Sequence, residues 1–259
     1  MPHARTAQEE TLWTLIDEHL IRYGYYFQSA IIKSAKGAFL TTVDNKRLLD
    51  FASGQMSTIL GHSHPEITDV IQKQAAELVH LYSQLLSPPV IHLAAKLAEI
   101  APGKLQRSVL LSTGSESNEA ALRMAKMATG RYEVLALSRS WHGVTQGAAS
   151  ATYNSSRQGY GPSAPGSFVL PAPTPYRPTF EKNGVYDWEA ELDYGFELFD
   201  RQSSGSAAAL IMETIMSSGG VVVLPKGYLK AAAERARKRG MLFIIDEAQT
   251  GYARTGKMF

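Results

Sequence analysis

The chain has 259 residues, of which 44% are hydrophobic and 19% charged, values typical of a globular protein with a substantial core. Its formal net charge of +2 gives no electrostatic basis for binding nucleic acid or an anionic membrane. Cysteine is absent, which excludes disulfides, thiolate metal sites and cysteine nucleophiles.

The N-terminal residues predict a cytoplasmic protein. Residues 1–13 contain no apolar run of the kind found in a signal peptide, and Glu9 and Glu10 are unlike a transit peptide, which is poor in acidic residues. The longest apolar runs are far shorter than the ~20 residues that span a bilayer. We therefore expect no membrane partner.

The first 62 residues predict a helix followed by a hairpin. Apolar residues at helical spacing over residues 12–24 predict a helix that ends at Gly24. Residues 38–52 contain two strand-like runs around Asp44 and Asn45, which predicts a β-hairpin.

Residues 63–259 predict an α/β domain with a mostly parallel sheet. Two helices come first, one beginning at Pro65 and one near Pro88. Short apolar runs, typical of strands buried on both faces, then alternate with amphipathic helical segments. The predicted strands are residues 107–112, 133–138, 167–172, 207–213 and 241–246, and two of the predicted helices are residues 117–130 and 227–240. Residues 140–195, rich in Pro, Gly, Ser and Tyr, predict a long irregular excursion around a site.

Ligands of parallel sheets bind beyond the carboxyl ends of the strands, and three predicted strand ends carry polar or aromatic residues. Residues 113–118 follow the first strand and begin a helix. Free N–H groups at a helix start can hold a phosphate, but the same residue types are common N-caps. Trp141 follows the second strand, where its ring could stack on a planar ligand or anchor the core.

Asp246 ends the last predicted strand. A carboxylate at the end of a buried strand requires a cation or a strong donor, and a pyridinium nitrogen would be such a partner. Asp246 and Glu247 could instead form a metal-binding acidic pair, although no G-x-x-x-x-G-K-[ST] loop accompanies them. His62 and His64 suggest a metal only weakly, because no second ligand pair lies at suitable spacing.

Together these stretches resemble a known family. Residues 112–126 (STGSESNEAALRMAK), 140–143 (SWHG) and 246–256 (DEAQTGYARTG) are similar in order and spacing to the class III, or omega, aminotransferases. Residues 49–67, which include Gln55, and residues 217–228 resemble the 2,2-dialkylglycine decarboxylases of that family. The resemblance implies a fold-type I pyridoxal-phosphate-dependent transferase, with helices on both faces of the sheet. It also places residues 1–62 in a small domain and residues 63–259 in the large cofactor-binding domain.

The resemblance assigns roles to individual residues. Catalytic roles fall to Gln55, which would contact the substrate carboxylate, to Trp141, which would stack on the pyridine ring, and to Asp246, which would pair with the ring nitrogen. The residues implied to bind pyridoxal 5'-phosphate are Thr113, Gly114, Ser115, Trp141, Asp246, Ala248 and Gln249. An alkali ion is implied near Leu81 and Ser83.

The implied reaction converts a 2,2-dialkylglycine and pyruvate to a ketone, CO2 and alanine. The alternatives are ordinary transamination between an omega-amino acid and a 2-oxoacid, or a catalytically inactive paralogue. We expect amino-acid and 2-oxoacid substrates, a homodimer, and neither nucleic acid nor membrane as a partner.

The sequence departs from the family in two places. Thr214 follows Glu213 where the family has proline. The stretch that carries the Schiff-base lysine of the family has no counterpart, since Lys257, the only lysine after Asp246, matches a loop position. We therefore expect a large domain that is incomplete at its C-terminus and lacks the catalytic lysine.

Overall fold

The structure is a computed structural model that describes residues 5–22 and 26–259. The chain divides into two compact units, Met1–Ile91 and His92–Phe259. The boundary that we predicted between residues 62 and 63 remains a prediction. No helix in the described ranges is long and apolar enough to cross a membrane.

The first unit contains helices and an antiparallel sheet. The elements, in chain order, are α1 (Ala7–His19), β1 (Ile32–Lys36), β2 (Phe39–Thr42), β3 (Arg47–Leu49), α2 (Ser53–Met56) and α3 (Pro65–Glu77). In the sheet, β1, β2 and β3 are neighbours in that order. The predicted hairpin is confirmed as β2 and β3, with Asn45 of the turn at φ 66°. The start of α3 at Pro65 is also confirmed.

The helix α1 lies five residues earlier than predicted. Thr6 caps it, because its hydroxyl oxygen accepts from the Glu9 N–H while the Glu9 carboxylate accepts from the Thr6 N–H. Leu20 follows in extended conformation, and Ile21 is 95% exposed, so the apolar residues there have no face to bury. The predicted end at Gly24 lies outside the described residues.

The second unit is built on a parallel sheet. The helices from this part of the chain, starting with the helix that crosses the division, are α4 (Pro88–Ile100), α5 (Gly114–Thr129), α6 (Gln146–Ser150), α7 (Trp188–Gln202) and α8 (Tyr228–Lys238). The strands are β4 (Glu133–Leu137), β5 (Ser167–Leu170), β6 (Glu181–Lys182), β7 (Val185–Tyr186), β8 (Ala207–Glu213), β9 (Ile215–Met216), β10 (Val222–Val223) and β11 (Leu242–Asp246). The strand order in the parallel sheet is β11-β8-β4-β5. The short pairs β6–β7 and β9–β10 are antiparallel.

Helices cover both faces of this sheet, as expected. Successive side chains of a strand point to opposite faces. Leu135 and Leu137 of β4 therefore share one core cluster with α7 and α8, while Val134 and Ala136 share another with Leu122 of α5. Every residue of β4 and β8 is buried, whereas β5 and β11 are only partly buried. The prediction of strands buried on both faces thus holds for the central pair alone.

Two predictions in this unit are wrong. Residues 107–112 form no strand, because no neighbouring strand pairs with them within the described ranges, and Val109 and Leu111 are 62% and 47% exposed. Residues 140–195 are not irregular throughout, since α7 begins at Trp188. Asp187 caps α7, and Leu192, Phe196 and Phe199 bury its apolar face against the sheet. The spacing of these three apolar residues, four and three positions apart, is the pattern from which the sequence could have predicted this helix.

Candidate active site

A cavity of about 230 Å³ lies at the carboxyl ends of β4, β8 and β11. This is where a parallel sheet offers a ligand site, because loops and helix N-termini converge there. The register of the sheet pairs Asp246 with Glu213, so two carboxyl groups stand side by side at this edge. The lining residues are Thr113, Gly114, Ser115, Asn118, Trp141, His142, Gly143, Glu213, Ile215, Asp246, Ala248, Gln249 and Thr250.

The first turn of α5 is both capped and open to a ligand, the two alternatives that the sequence left open for residues 113–118. Thr113 is the N-cap, since its hydroxyl oxygen accepts from the Glu116 N–H at 3.1 Å, and the Glu116 carboxylate accepts from the Thr113 N–H at 3.2 Å. Among the hydrogen bonds of the described residues, none involves the N–H groups of Gly114 or Ser115. The capping interpretation is therefore confirmed, and two free N–H donors remain at the positive end of the helix, beside the cavity.

Asp246 is a buried acceptor, only 8% exposed. Its Oδ2 accepts from the Asn118 side-chain amide at 2.8 Å and lies 2.8 Å from Nδ1 of His142, while Oδ1 accepts from the Ala248 N–H at 3.0 Å. Burial alone would raise the pKa of Asp246, but these hydrogen bonds and the electrostatic interaction with His142 hold the pKa below its ordinary value. The carboxylate is therefore ionised at neutral pH.

The loop after β4 carries Trp141 and His142. The Trp141 side chain is half-buried and lines the cavity, and its backbone N–H donates to Oε1 of Glu213 at 2.8 Å. His142 is 2% exposed and donates its backbone N–H to the Thr152 hydroxyl. Its ring faces Asp246 through Nδ1, and its buried Nε2 has no hydrogen-bond partner among the residues that the structure describes.

Gly143 brings this loop against α5. Its φ is +130°, and a Cβ placed there would lie 2.1 Å from the hydroxyl oxygen of Ser115. The next residue, Val144, donates its N–H to that same oxygen at 2.9 Å. The close approach therefore depends on glycine, and it fixes the Trp141 loop to the first turn of α5.

The segment after β11 forms another wall. A Cβ placed at Gly114 would lie 3.5 Å from that of Ala248, so Ala248 faces the start of α5. The Gln249 side-chain oxygen accepts from the Ser217 hydroxyl. Thr214, where the family has proline, donates its hydroxyl to Thr250 at 2.7 Å, a hydrogen bond that proline cannot make.

The other predicted site residues belong to the first unit. Gln55 is exposed and lies in a left-handed turn in which residues 53–56 all have φ between 50° and 70°. Leu81 and Ser83 line a cavity of about 240 Å³ formed by residues 78–90, and their contact with an alkali ion remains a prediction. His62 pairs with Asp50 at 2.7 Å, and the described residues contain no cluster of three potential His, Asp or Glu ligands.

Two residues at the site were missed as functional candidates. Asn118 lies on the buried face of α5 with Leu122 and Ala125, and a polar residue in such an apolar stripe was a detectable signal. Glu213 was noted only for its neighbour Thr214. Glu213 ends the fully buried strand β8, as Asp246 ends β11. A carboxyl group at the end of a buried apolar run was therefore a signal of a functional residue that the sequence contained.

Comparison with known proteins agrees with this geometry. Residues 23–259 match the family model for class-III aminotransferases. An uncharacterized aminotransferase of Schizosaccharomyces pombe is 54% identical over 96% of this chain and 56% of its own length. The 4-aminobutyrate aminotransferase of Mycobacterium tuberculosis is 34% identical over 88% of this chain and 52% of its own. The chain thus spans about half the length of these curated relatives.

Solved structures show the same fold. An (S)-enantioselective omega-transaminase from Thermomicrobium roseum superposes with a TM-score of 0.88 at 34% identity, covering 99% of this chain and 60% of that one. A taurine:2-oxoglutarate aminotransferase from Bifidobacterium kashiwanohense, in complex with PLP and glutamate, has a TM-score of 0.86 at 32% identity, covering 100% and 59%.

The parallel sheet and these neighbours define an α/β transferase domain of fold type I. Within that class, the chain belongs to the class III aminotransferase family, whose members depend on pyridoxal phosphate.

Proposed function

We propose that the cavity of the second unit binds pyridoxal 5'-phosphate. The main support is that one cavity has the free N–H donors of Gly114 and Ser115 at one wall and the buried, ionised carboxylate of Asp246 at another. The cofactor needs the same pair of features, because its phosphate is an anion and its ring nitrogen is a base. The donor set therefore fits the group.

Each wall has a proposed part in holding the cofactor. Gly114 and Ser115 would donate to the phosphate, with Thr113 beside them. Asp246 would hold a proton on the ring nitrogen, because an ionised buried carboxylate stabilises a cation next to it. Trp141 and Ala248 would cover opposite faces of the ring. Gln249 would donate its amide N–H to the ring hydroxyl oxygen, while its own oxygen accepts from Ser217.

The proposed activity is transfer of an amino group from an amino acid to a 2-oxoacid. Bound pyridoxal phosphate supplies an aldehyde that captures the amino group and a ring that accepts electrons from a neighbouring bond. Asp246 favours that flow by remaining ionised. The stacked Trp141 and the capped turn of α5 would keep the ring from moving as the bonds change.

Within this class we propose the decarboxylating variant, in which a 2,2-dialkylglycine and pyruvate give a ketone, CO2 and alanine. Gln55 supports it, because it matches the residue that contacts the substrate carboxylate in the 2,2-dialkylglycine decarboxylases. Ordinary transamination of an omega-amino acid is the second candidate, supported by relatives such as the 4-aminobutyrate aminotransferase. The whole enzyme is proposed to be a homodimer.

The third candidate is a catalytically inactive protein that only holds the cofactor. No lysine is among the cavity-lining residues of the described chain. We therefore expect borohydride reduction of the PLP-loaded chain to leave no stoichiometric adduct at a single lysine. An adduct at one lysine, located by peptide mass mapping, would remove this third candidate's main support.

An assay with two donors separates the candidates. The chain is incubated with PLP, pyruvate and either 2-methylalanine or 4-aminobutyrate, and alanine and CO2 are measured. Alanine and CO2 in equal amounts from 2-methylalanine support the decarboxylating variant. Alanine from 4-aminobutyrate without CO2 supports ordinary transamination. Saturable PLP binding without alanine from either donor supports the inactive candidate.

A further inference from the structure

Glu213 lines the cavity, but none of the proposed cofactor contacts uses its side chain. It is the last residue of β8 and is 7% exposed. Its Oε1 accepts from the Trp141 N–H at 2.8 Å, and its Oε2 accepts from the Ser217 N–H at 3.1 Å. Both oxygens are therefore engaged by backbone donors from two different segments of the chain.

Each of these two donors belongs to a residue that lines the cavity or is hydrogen-bonded to a lining residue. Trp141 supplies the indole of one wall. Ser217 donates its hydroxyl to the side-chain oxygen of Gln249, another wall residue. The Glu213 carboxylate thus holds the backbone of Trp141, which carries the indole, by a direct hydrogen bond. It is connected to the Gln249 amide through Ser217, whose backbone N–H donates to Glu213 and whose hydroxyl donates to Gln249.

The chemistry of these contacts makes the carboxylate hard to replace. An ionised acceptor forms stronger hydrogen bonds with N–H donors than a neutral one does, and removing it leaves two donors without an acceptor. Glutamine retains a single acceptor oxygen, and its amide N–H group would face one of the two backbone donors.

We infer that Glu213 is a positioning residue that sets the Trp141 indole and the Gln249 amide for the cofactor ring. This inference rests on the proposed function for the identity of the cofactor. Glu213 needs no contact with the reacting atoms for this role. Its effect is exerted through the Trp141 and Ser217 backbone N–H groups.

The first test needs no cofactor. Trp13 and Trp188 are replaced by phenylalanine, so that Trp141 is the only fluorophore of its kind. Glu213→Gln is compared in this background with Glu191→Gln, which changes another buried carboxyl, one that is bonded to Tyr186 and does not line the cavity. We expect Glu213→Gln to shift Trp141 emission and increase its quenching by acrylamide, and Glu191→Gln to leave both unchanged.

A pH titration of the same fluorescence separates positioning from general destabilisation. Burial raises the pKa of Glu213, the Trp141 N–H opposes this, His142 also lowers the pKa and Asp246 raises it. Protonation of Glu213 should therefore change Trp141 emission at a pH above the ordinary range of a glutamate, while far-ultraviolet circular dichroism stays constant. The transition should disappear in Glu213→Gln.

The second test measures PLP affinity by quenching of Trp141 emission. We expect Glu213→Gln to weaken binding by about tenfold, and Glu191→Gln by less than about twofold. If Glu213→Gln fails to fold, Glu213→Asp, which keeps the charge on a shorter side chain, takes its place, and the titration of the parent still decides the point.

The outcomes separate the two proposals. Unchanged Trp141 emission, no Glu213-dependent transition and unchanged affinity would overturn the positioning role. Absence of PLP binding by the parent would instead contradict the proposed function, and the cofactor-free fluorescence would then decide the positioning role by itself.

Discussion

The side-chain amide of Asn118 donates to Oδ2 of Asp246 at 2.8 Å, joining the first turns of α5 to the end of β11 across 128 residues of sequence. The same amide nitrogen donates to the backbone oxygen of His142 at 2.8 Å. One buried side chain therefore connects the free helix N–H groups, the loop of Trp141 and the ionised carboxylate. The cavity is held together by polar contacts as well as by the packing of the sheet.

Replacing Asn118 with leucine should weaken both the fold and the cavity. The change removes two hydrogen bonds in a buried setting and leaves the His142 carbonyl and Asp246 with one donor fewer, which should cost about 2–4 kcal/mol of unfolding free energy. Urea unfolding measures this, with Arg123→Leu on the exposed face of the same helix as the control. Equal unfolding free energies for the two variants would contradict the connecting role of Asn118.

The pH dependence of stability should carry a contribution from Asp246. Its pKa is lowered in the folded state, so its stabilising contribution is fully present above the ordinary aspartate pKa of about 3.9 and is lost as the pH falls through the lower folded pKa. The stability difference between the wild type and Asp246→Asn should therefore shrink as the pH is lowered from 5 towards 2. A difference that stays constant across that range would show that the charge of Asp246 is not the cause.

Gly143→Ala should be far more damaging than alanine at another glycine of similar backbone conformation. Its Cβ would lie 2.8 Å from the backbone Cα of Ser115, so the loop and α5 must separate, at a cost of about 3 kcal/mol or more. At Gly220, with φ +112°, a Cβ would have no atom of the described residues within 4 Å, apart from those of Gly220 and its two chain neighbours. Gly220→Ala therefore measures backbone strain alone, about 1–2 kcal/mol. Similar melting temperatures for the two variants would argue against this close approach.

Leu210→Ala should destabilise the centre of the second unit. Leu210 is fully buried in β8 between neighbouring strands, and a cavity left there should cost about 2–5 kcal/mol. Leu198→Ala, at a side chain that is 38% exposed on α7, provides the control and should cost less than half as much. Thermal denaturation of both variants gives the comparison.

Much of the sheet was predictable because the signals are local. The apolar runs that became β4, β5, β8 and β11 are short and separated by turns or amphipathic helices, a pattern that parallel strands require. The run at residues 107–112 also has a short apolar stretch, Val109–Leu111, but forms no strand. Strand formation also depends on a hydrogen-bonding neighbour, which local sequence does not reveal.

The site was predictable to the extent that strand ends identify it. Trp141 and Asp246 lie at one cavity because the carboxyl ends of β4 and β11 meet at one edge of the sheet. Thr113 lines the same cavity from the N-terminus of α5, although the residues just before it, 107–112, form no strand. The tie from Asn118 to Asp246 and the two acceptor bonds of Glu213 join distant segments. Such contacts depend on side-chain geometry after folding, so the residue types suggested burial but did not identify the partners.

Calorimetric titration of the chain with pyridoxal 5'-phosphate at pH 7 tests the central claim most directly. Wild type, Asp246→Asn and the control Asp200→Asn, which changes a surface carboxylate paired with Arg239, are measured side by side. We expect one cofactor per wild-type chain, the same affinity for Asp200→Asn, and an affinity at least about tenfold lower for Asp246→Asn. No saturable binding by the wild type, or equal affinity of all three proteins, would contradict the assignment of this cavity to the cofactor.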